Sequence, residues 1–354
     1  MKILITGNMG YVGPGLVKEL RTYYPDATLI GFDTGFFAKH TTSTKIFPES
    51  YLDQQVYGDV RDFPASLLEG VHTVVSLAAI SNDPIGNQFE EVTMDINYRS
   101  NVRIAEMAKA AGVRKFIFAS SCSVYGSAED TPRTETSSLN PLTAYARSKI
   151  QSEIDLEPLA DENFQITCHR FATACGMSER LRLDLVLNDF VAGAVSSGEI
   201  TILSDGTPWR PLINVLDMAR AIRWSHGRTD EQGGAFLVVN TGSDTWNYQV
   251  KELAFAVKEI LPEITVSINE NAEPDKRSYR VSFEKFAELA PEHQPVHDLS
   301  RSVKDLVEGL RSINFDDAEF RNSLLMRLNV VRGLLANGNV DGNLRVVSPA
   351  TLVK

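Results

Sequence analysis

Five short, continuous apolar runs in the first half of the chain constrain its fold more than any other feature. They are Lys2 to Thr6, Thr28 to Phe32, Thr73 to Ala79, Lys115 to Ser121 and Gln165 to Phe171, and helically patterned stretches separate them. Runs this short that do not alternate with polar residues suit strands buried on both faces, and the helices between them supply right-handed crossovers. The pattern predicts an α/β fold with a doubly wound parallel sheet. Between the third and fourth runs, Asn97 to Ala111 carries apolar or small residues at Val102, Ile104, Ala105, Met107 and Ala108, with Gly112 as a helix stop. A second helix is expected from about Leu142 past Tyr145 and Lys149.

After Phe171 the alternation breaks. The chain then reads as an apolar helix (Leu183 to Ala194), a turn (Asp205 to Pro208), an irregular stretch (Thr245 to Pro291) and one more strand (Ala235 to Thr241) returning to the sheet. The expected organisation is a sheet domain of residues 1–171 rejoined by 216–244, and a smaller lobe built from 172–215 and 245–336. The tail, 337–354, has turn residues and weak periodicity and gives no readable structure. At 354 residues the chain has the length for one large domain with such a lobe.

Charge narrows the function classes. Thirty-five Lys and Arg stand against 46 Asp and Glu, for a net charge of −11, with no basic tract to neutralise a row of phosphates. That argues against a nucleic-acid partner. No apolar run reaches the roughly 18 residues that span a bilayer, and Ile3 to Thr6 is too short for a signal-peptide core. A soluble, cytoplasmic protein is expected. Cys122, Cys168 and Cys175 are too few, and too apolar in their surroundings, for a disulfide framework or a zinc site, so no metal is expected.

The first strand runs at once into Gly7, Gly10 and Gly13, with Tyr11 and Val12 between the last two. A strand that turns sharply into a helix needs glycine where its backbone approaches a pyrophosphate, and the helix N-terminus offers free N–H donors to the phosphates. Glycines at this spacing also serve plain turns; the context favours a dinucleotide. Pro14 sits where an early-helix proline is tolerated. Asp33 follows twenty residues after Gly13 at the end of the second strand, where a carboxylate takes the ribose hydroxyls of adenosine and repels the extra phosphate of NADP. Asp59, in Gly58-Asp59-Val60 ahead of the run at Thr73, is a weaker candidate for the adenine edge.

Tyr145 and Lys149, four residues apart on one expected helix, project from the same face. A free tyrosine, with a pKa near 10, is a poor base at neutral pH. A neighbouring lysine and a positively charged nicotinamide both favour the phenolate. The pair follows Ser120-Ser121-Cys122-Ser123-Val124-Tyr125-Gly126, a hydroxyl-rich exit at the carboxyl end of a strand, where ligands bind in parallel sheets.

With these residues in hand, the sequence resembles the extended short-chain dehydrogenase/reductase family, specifically its nucleotide-sugar epimerases and dehydratases, which have a Rossmann-like sheet. The resemblance rests on Thr6-Gly7-x-x-Gly10-x-x-Gly13, Gly58-Asp59-Val60-Arg61-Asp62, Leu77-Ala78-Ala79, Asn97, Ser120-Ser121 through Tyr125-Gly126, and Tyr145 to Lys149, all in the family's order. Arg170-Phe-Ala-Thr173-Ala-Cys-Gly176 and Arg210-Pro-Leu-Ile-Asn214-Val215-Leu-Asp217 extend it, although Thr173 replaces the usual asparagine and Asn214 the usual histidine.

The resemblance implies NAD as cofactor, held by Gly7, Gly10, Tyr11, Val12, Gly13, Asp33, Asp59, Val60, Leu77, Ala78, Ala79, Asn97, Ser120, Tyr145 and Lys149. It makes Tyr145 the catalytic base, with Lys149 tuning it and Ser121 bonding the reacting hydroxyl of a nucleoside-diphosphate sugar. Ser123, Thr173, Asn188, Arg210 and Arg277 become substrate-binding candidates, Arg277 standing in for a family arginine where this chain has Ala272 and Glu273. Small and apolar residues on the outer helices imply a homodimer through a four-helix bundle.

The expected reaction is epimerisation, at C4, through a transient 4-keto sugar. A net NAD-linked reductase or a dehydratase is the alternative within the same chemistry, and a non-catalytic NAD-sensing scaffold the alternative outside it. Family dehydratases place an Asp-Glu pair just after the catalytic hydroxyl, and here those positions are Cys122 and Ser123. In the 3,5-epimerising relatives an active cysteine lies two residues before the tyrosine, whereas Cys122 lies three before Tyr125. A one-residue offset along an extended strand end reverses the face, so Cys122 is expected to pack into the sheet.

Overall fold

The computed structural model describes residues 1–42, 46–81, 83–127, 131–269, 271–272 and 277–347. Its central sheet holds β1 (Lys2–Thr6), β2 (Thr28–Asp33), β3 (Gln54–Tyr57), β4 (Thr73–Ser76), β5 (Lys115–Ser121), β6 (Gln165–Phe171) and, later in the chain, β10 (Phe236–Thr241). These seven strands are all parallel, in the order β10-β6-β5-β4-β1-β2-β3. The order reverses between β1 and β4, and the carboxyl ends of those two strands open a crevice for a ligand. A small sheet joins β7 (Thr173–Cys175), β9 (Trp209–Asn214) and β11 (Asn247–Gln249), and another pairs β8 (Glu199–Ile202) with β12 (Thr265–Ile268).

The helices are α1 (Gly13–Tyr23), α2 (Asp83–Gln88), α3 (Glu90–Met94), α4 (Ser100–Ala110), α5 (Ala144–Leu156), α6 (Val186–Ser196), α7 (Val215–Gly227), α8 (Val250–Ile260), α9 (Glu284–Leu289), α10 (Leu299–Ser312) and α11 (Arg327–Ala336). One face of the sheet meets α1 and α7 through Ile3, Ile5, Leu16, Leu20, Ala221 and Ile222. The other meets α4 through Leu4, Val74, Phe116, Ile104 and Ala108. A third core, around Leu187, Val191, Leu253, Val257, Val303 and Leu306, joins α6, α8 and α10. Every residue of β6 is buried, as a central parallel strand requires.

Several expectations need correction. β3 was not foreseen, and Asp59 follows it after Gly58: Gln54-Gln55-Val56-Tyr57 is a polar edge strand, paired among the described residues only with β2 and partly exposed, so it lacks the apolar signature. β4 stops at Ser76, which frees Leu77 to Ala79 as an exit loop. The expected helix at Asn97 belongs to a longer run that starts at Glu90 and passes through a π-turn, Asp95–Arg99, before α4. The stretch from Thr245 contains the regular helix α8, whose apolar face packs on α6 and α10. The tail is structured as far as residue 347: Val340 and Leu344 pack with Val331 of α11 against Ile85 and Val92, flanked by Phe36 and Ile80. Glu273 and residues 348–354 lie outside the described residues. No described helix is long and apolar enough to cross a membrane.

Candidate active site

The crevice begins at the exit of β1. Gly7 has φ +75°, and its N–H donates to the Phe32 carbonyl at 2.8 Å. A Cβ here would lie 2.5 Å from the Ala78 backbone nitrogen, and one at Gly13 only 1.8 Å from the Asn8 carbonyl oxygen. Only glycine therefore lets the loop lie flat against the β4 exit. The turn delivers α1 with no side-chain cap at its N-terminus, leaving backbone donors open to an anion. Asp33 stands beside it, its carboxylate accepting from the Met9 N–H at 3.1 Å and the Gly35 N–H at 2.8 Å. Burial raises the Asp33 pKa against the pull of those two amides. Asp59 is gripped by Arg61, with Nε to Oδ1 at 2.9 Å and Nη2 to Oδ2 at 2.5 Å. Burial opposes its charge, but the Arg61 hydrogen bonds prevail and its carboxyl titrates below the usual range. Asn97, inside the π-turn, ties down the loop after β4 by accepting from the Ile80 N–H (2.7 Å) and donating to the Ile80 carbonyl (2.9 Å).

The chemistry-bearing end lies where β5 meets α5. Ser121 closes β5 and its Oγ accepts from the Ser123 N–H at 3.1 Å. Thr143 caps α5, accepting from the Ala146 N–H, so Tyr145 emerges in the first turn and Lys149 one turn later. The Ser121 hydroxyl lies near enough to the Tyr145 phenol to favour its phenolate. Burial is the strongest influence on the Tyr145 phenol and, despite that hydroxyl and the charge of Arg182, pushes it up to about 12. Burial pulls Lys149 down to about 7, with Glu153 opposing. The Lys149 ammonium donates to the Ala119 carbonyl at 2.6 Å and lies 5.4 Å from the Tyr145 ring centroid. Ser123 Oγ is buried there with no hydrogen-bond partner among the described residues. Cys122 turns the other way, its Sγ 3.1 Å from the Arg170 carbonyl oxygen, and burial raises its thiol.

Residues 3–240 match the model of the NAD dependent epimerase/dehydratase family. The chain belongs to that family. Over 231 residues it is 30% identical to the "Uncharacterized UDP-glucose epimerase YtcB" of Bacillus subtilis (strain 168), covering 63% of this chain and 71% of that one. Over 299 residues it is 25% identical to UDP-glucuronic acid decarboxylase 6 of Arabidopsis thaliana, covering 82% and 83%. Among solved structures, "MoeE5 in complex with UDP-glucuronic acid and NAD" superposes with a TM-score of 0.75 at 24% identity, over 88% of this chain and 99% of that one.

As a member of the NAD dependent epimerase/dehydratase family, the chain is an NAD-dependent enzyme, and its groove suits the cofactor. The flat glycine turn, the uncapped α1 and the half-buried Asp33 match a diphosphate and a ribose. Ser120, expected beside the cofactor, instead donates its hydroxyl to Glu153 Oε1 at 2.5 Å.

The substrate candidates scatter. Thr173 opens β7 and Arg210 lies on β9, with its Nη1 donating to the Trp209 carbonyl at 2.9 Å. Arg277 reaches Asp83 of α2 at 2.8 Å. Asn188 is fully buried: its Oδ1 accepts from the Gly176 N–H, and its Nδ2 donates to the Arg182 carbonyl and the Tyr11 hydroxyl. The structure makes it a tie between the glycine loop and the lobe. Sequence reasoning missed Arg182, which is buried, paired with Asp184, and donates to Ser81 Oγ at 2.8 Å. Its charge favours the Tyr145 phenolate. The alternation Arg180-Leu181-Arg182-Leu183 was its only signal.

Proposed function

We propose that the enzyme epimerises a nucleoside-diphosphate sugar at C4 through a transient 4-keto sugar. The observation that carries this is Ser121, Tyr145 and Lys149 gathered at one strand end, where Cys122 turns into the core and Ser123 offers only a hydroxyl. NAD, when bound, supplies the acceptance and return of a hydride. Tyr145 Oη takes the proton of the C4 hydroxyl and later gives it back. Ser121 holds that hydroxyl, and Lys149, when charged, lowers the cost of the phenolate. Arg210, Arg277 and Thr173, on the lobe side, are the groups we assign to the sugar nucleotide, with guanidinium forks suited to phosphate oxygens. This gives residues 1–171 with 216–244 the glycine loop and Asp33 that face the cofactor, and the lobe Thr173, Arg210 and Arg277 for the substrate. At the two positions where the family resemblance would put a carboxylate acid–base pair for eliminating water, this chain has Cys122 and Ser123.

A panel of UDP-, dTDP-, GDP- and CDP-sugars tests the reading. Interconversion of one pair of C4 epimers with no lasting NADH supports it. Lasting stoichiometric NADH, or a 4-keto-6-deoxy product, refutes it.

We also propose a homodimer through the paired outer faces of α4 and α5. Ile154 is 55% exposed on α5, and Ile150 and Met94 lie partly exposed beside it. An isologous bundle would cover them. The expected mass by light scattering at micromolar concentration is that of two chains, and Ile154→Arg should halve it. A wild-type monomer would refute the interface.

A further inference from the structure

Two guanidinium groups lie buried at the cofactor groove without the partners that their burial calls for. Arg180 is 1% exposed, and its Nη2 donates to Glu49 Oε1 at 2.9 Å, yet its Nε and Nη1 have no acceptor among the described residues. Arg327 is 4% exposed; its Nη2 donates to the Arg180 carbonyl at 2.8 Å and its plane lies over the Phe37 ring at 4.0 Å, while its Nη1 has no acceptor among the described residues. Buried charged donors left unmade are costly, so three together call for a ligand.

Their position says which one. The segment carrying Arg180 is fastened to the glycine loop: Ser178 Oγ donates to the Tyr11 carbonyl at 2.7 Å and accepts from the Arg180 N–H, and the Tyr11 hydroxyl donates to the Gly176 carbonyl. Tyr11 directly precedes Val12, the N-cap position of α1. Both arginines act electrostatically on, or feel, Asp33. Burial, with Arg182 beside it, pulls Arg327 down to about 9, the mark of a cation short of counter-charge.

Arg327 opens α11, beyond the residues that match the family model. The segment after α11 is anchored along the same groove. Arg61, which grips Asp59, also donates to the Asn343 carbonyl (2.7 Å) and the Leu344 carbonyl (3.1 Å), and Arg345 pairs with Asp62.

We propose that Arg180 and Arg327 form a second, cationic wall of the dinucleotide groove that grips the cofactor's diphosphate, with residues 327–347 as the brace that holds Arg327 in place. The inference rests on the family's NAD dependence alone and stands whatever sugar is turned over.

The test is ligand binding to the full-length chain freed of nucleotide, by calorimetry, with NAD, ADP-ribose, adenosine and UDP as probes. Arg180→Lys and Arg327→Gln should each weaken NAD and ADP-ribose about 10- to 100-fold, the scale of lost hydrogen bonds to a charged group, and leave adenosine and UDP unchanged. Unchanged NAD affinity overturns the proposal. So does a loss confined to UDP, which would assign the arginines to a substrate diphosphate, or an equal loss for all four, which would make them structural. Hydrogen exchange on the wild-type chain is independent of how the variants fold. ADP-ribose should protect peptides spanning 176–184 and 327–336 where adenosine and UDP do not, and the absence of that difference also overturns the proposal.

Discussion

Tyr145→Phe should lower kcat by at least about 10²-fold while NAD affinity stays within a few-fold of wild type. The ring fills the same space at the start of α5, so neither the helix nor the packing changes. The substitution removes the phenol hydroxyl whose ionisation Ser121 favours, beside the Lys149 ammonium. Burial pushes that phenol up to about 12, so at neutral pH it is held protonated. Positive charge must therefore arrive for the base to work. Lys149, depressed to about 7, supplies it fully only below that pH. Lys149→Met should therefore shift the ascending limb of the kcat/KM profile to higher pH. A Tyr145→Phe enzyme that keeps more than a tenth of wild-type kcat would remove Tyr145 from the chemistry.

How much of this was legible in the chain depended on how local the physics is. β5 and β6 were readable to the residue because each is an unbroken apolar run between turn signals, and both lie inside the sheet. β3, on the edge, buries little and so carries no such run. Tyr145, Lys149 and Ser121 were legible because one helical turn and one strand end place them. Asp33 was legible because glycine loop and acid are tied by the length of a single strand–helix–strand unit. The environment of Asp33 was not. Arg180 comes from the lobe and Arg327 from the last helix, some 150 and 290 residues away, and only tertiary packing brings them together. Asn188 shows the opposite limit. A polar residue in an apolar helix looks like a ligand-binding group, but the amides and hydroxyls of two other segments claimed it.

The second large effect is expected from a residue that touches no substrate. Glu153 and Arg170 form an ion pair with both side chains 6% exposed, Nη2 to Oε2 at 2.6 Å and Nε to both carboxylate oxygens at 3.1 Å. The pair fastens α5 to β6. Through it run Ser120, which donates to Glu153, and Tyr125, whose hydroxyl accepts from Arg170 Nη1 at 3.1 Å and donates to Asn240 Oδ1 at 2.6 Å. Glu153→Gln leaves the guanidinium buried without its counter-charge, and should cost about 3–5 kcal/mol of unfolding free energy, read as an earlier urea midpoint. A loss under about 1 kcal/mol would show that the pair is not holding the helix. Stability alone cannot separate a brace from a tuner, but replacing both partners can. Glu153→Met with Arg170→Met removes both charges, and such double replacements are often close to neutral in stability. Glu153 also supports the charge of Lys149, so the double variant should regain its urea midpoint and still show the Lys149 titration displaced to lower pH. Recovery of both together would reduce the pair to a structural strut.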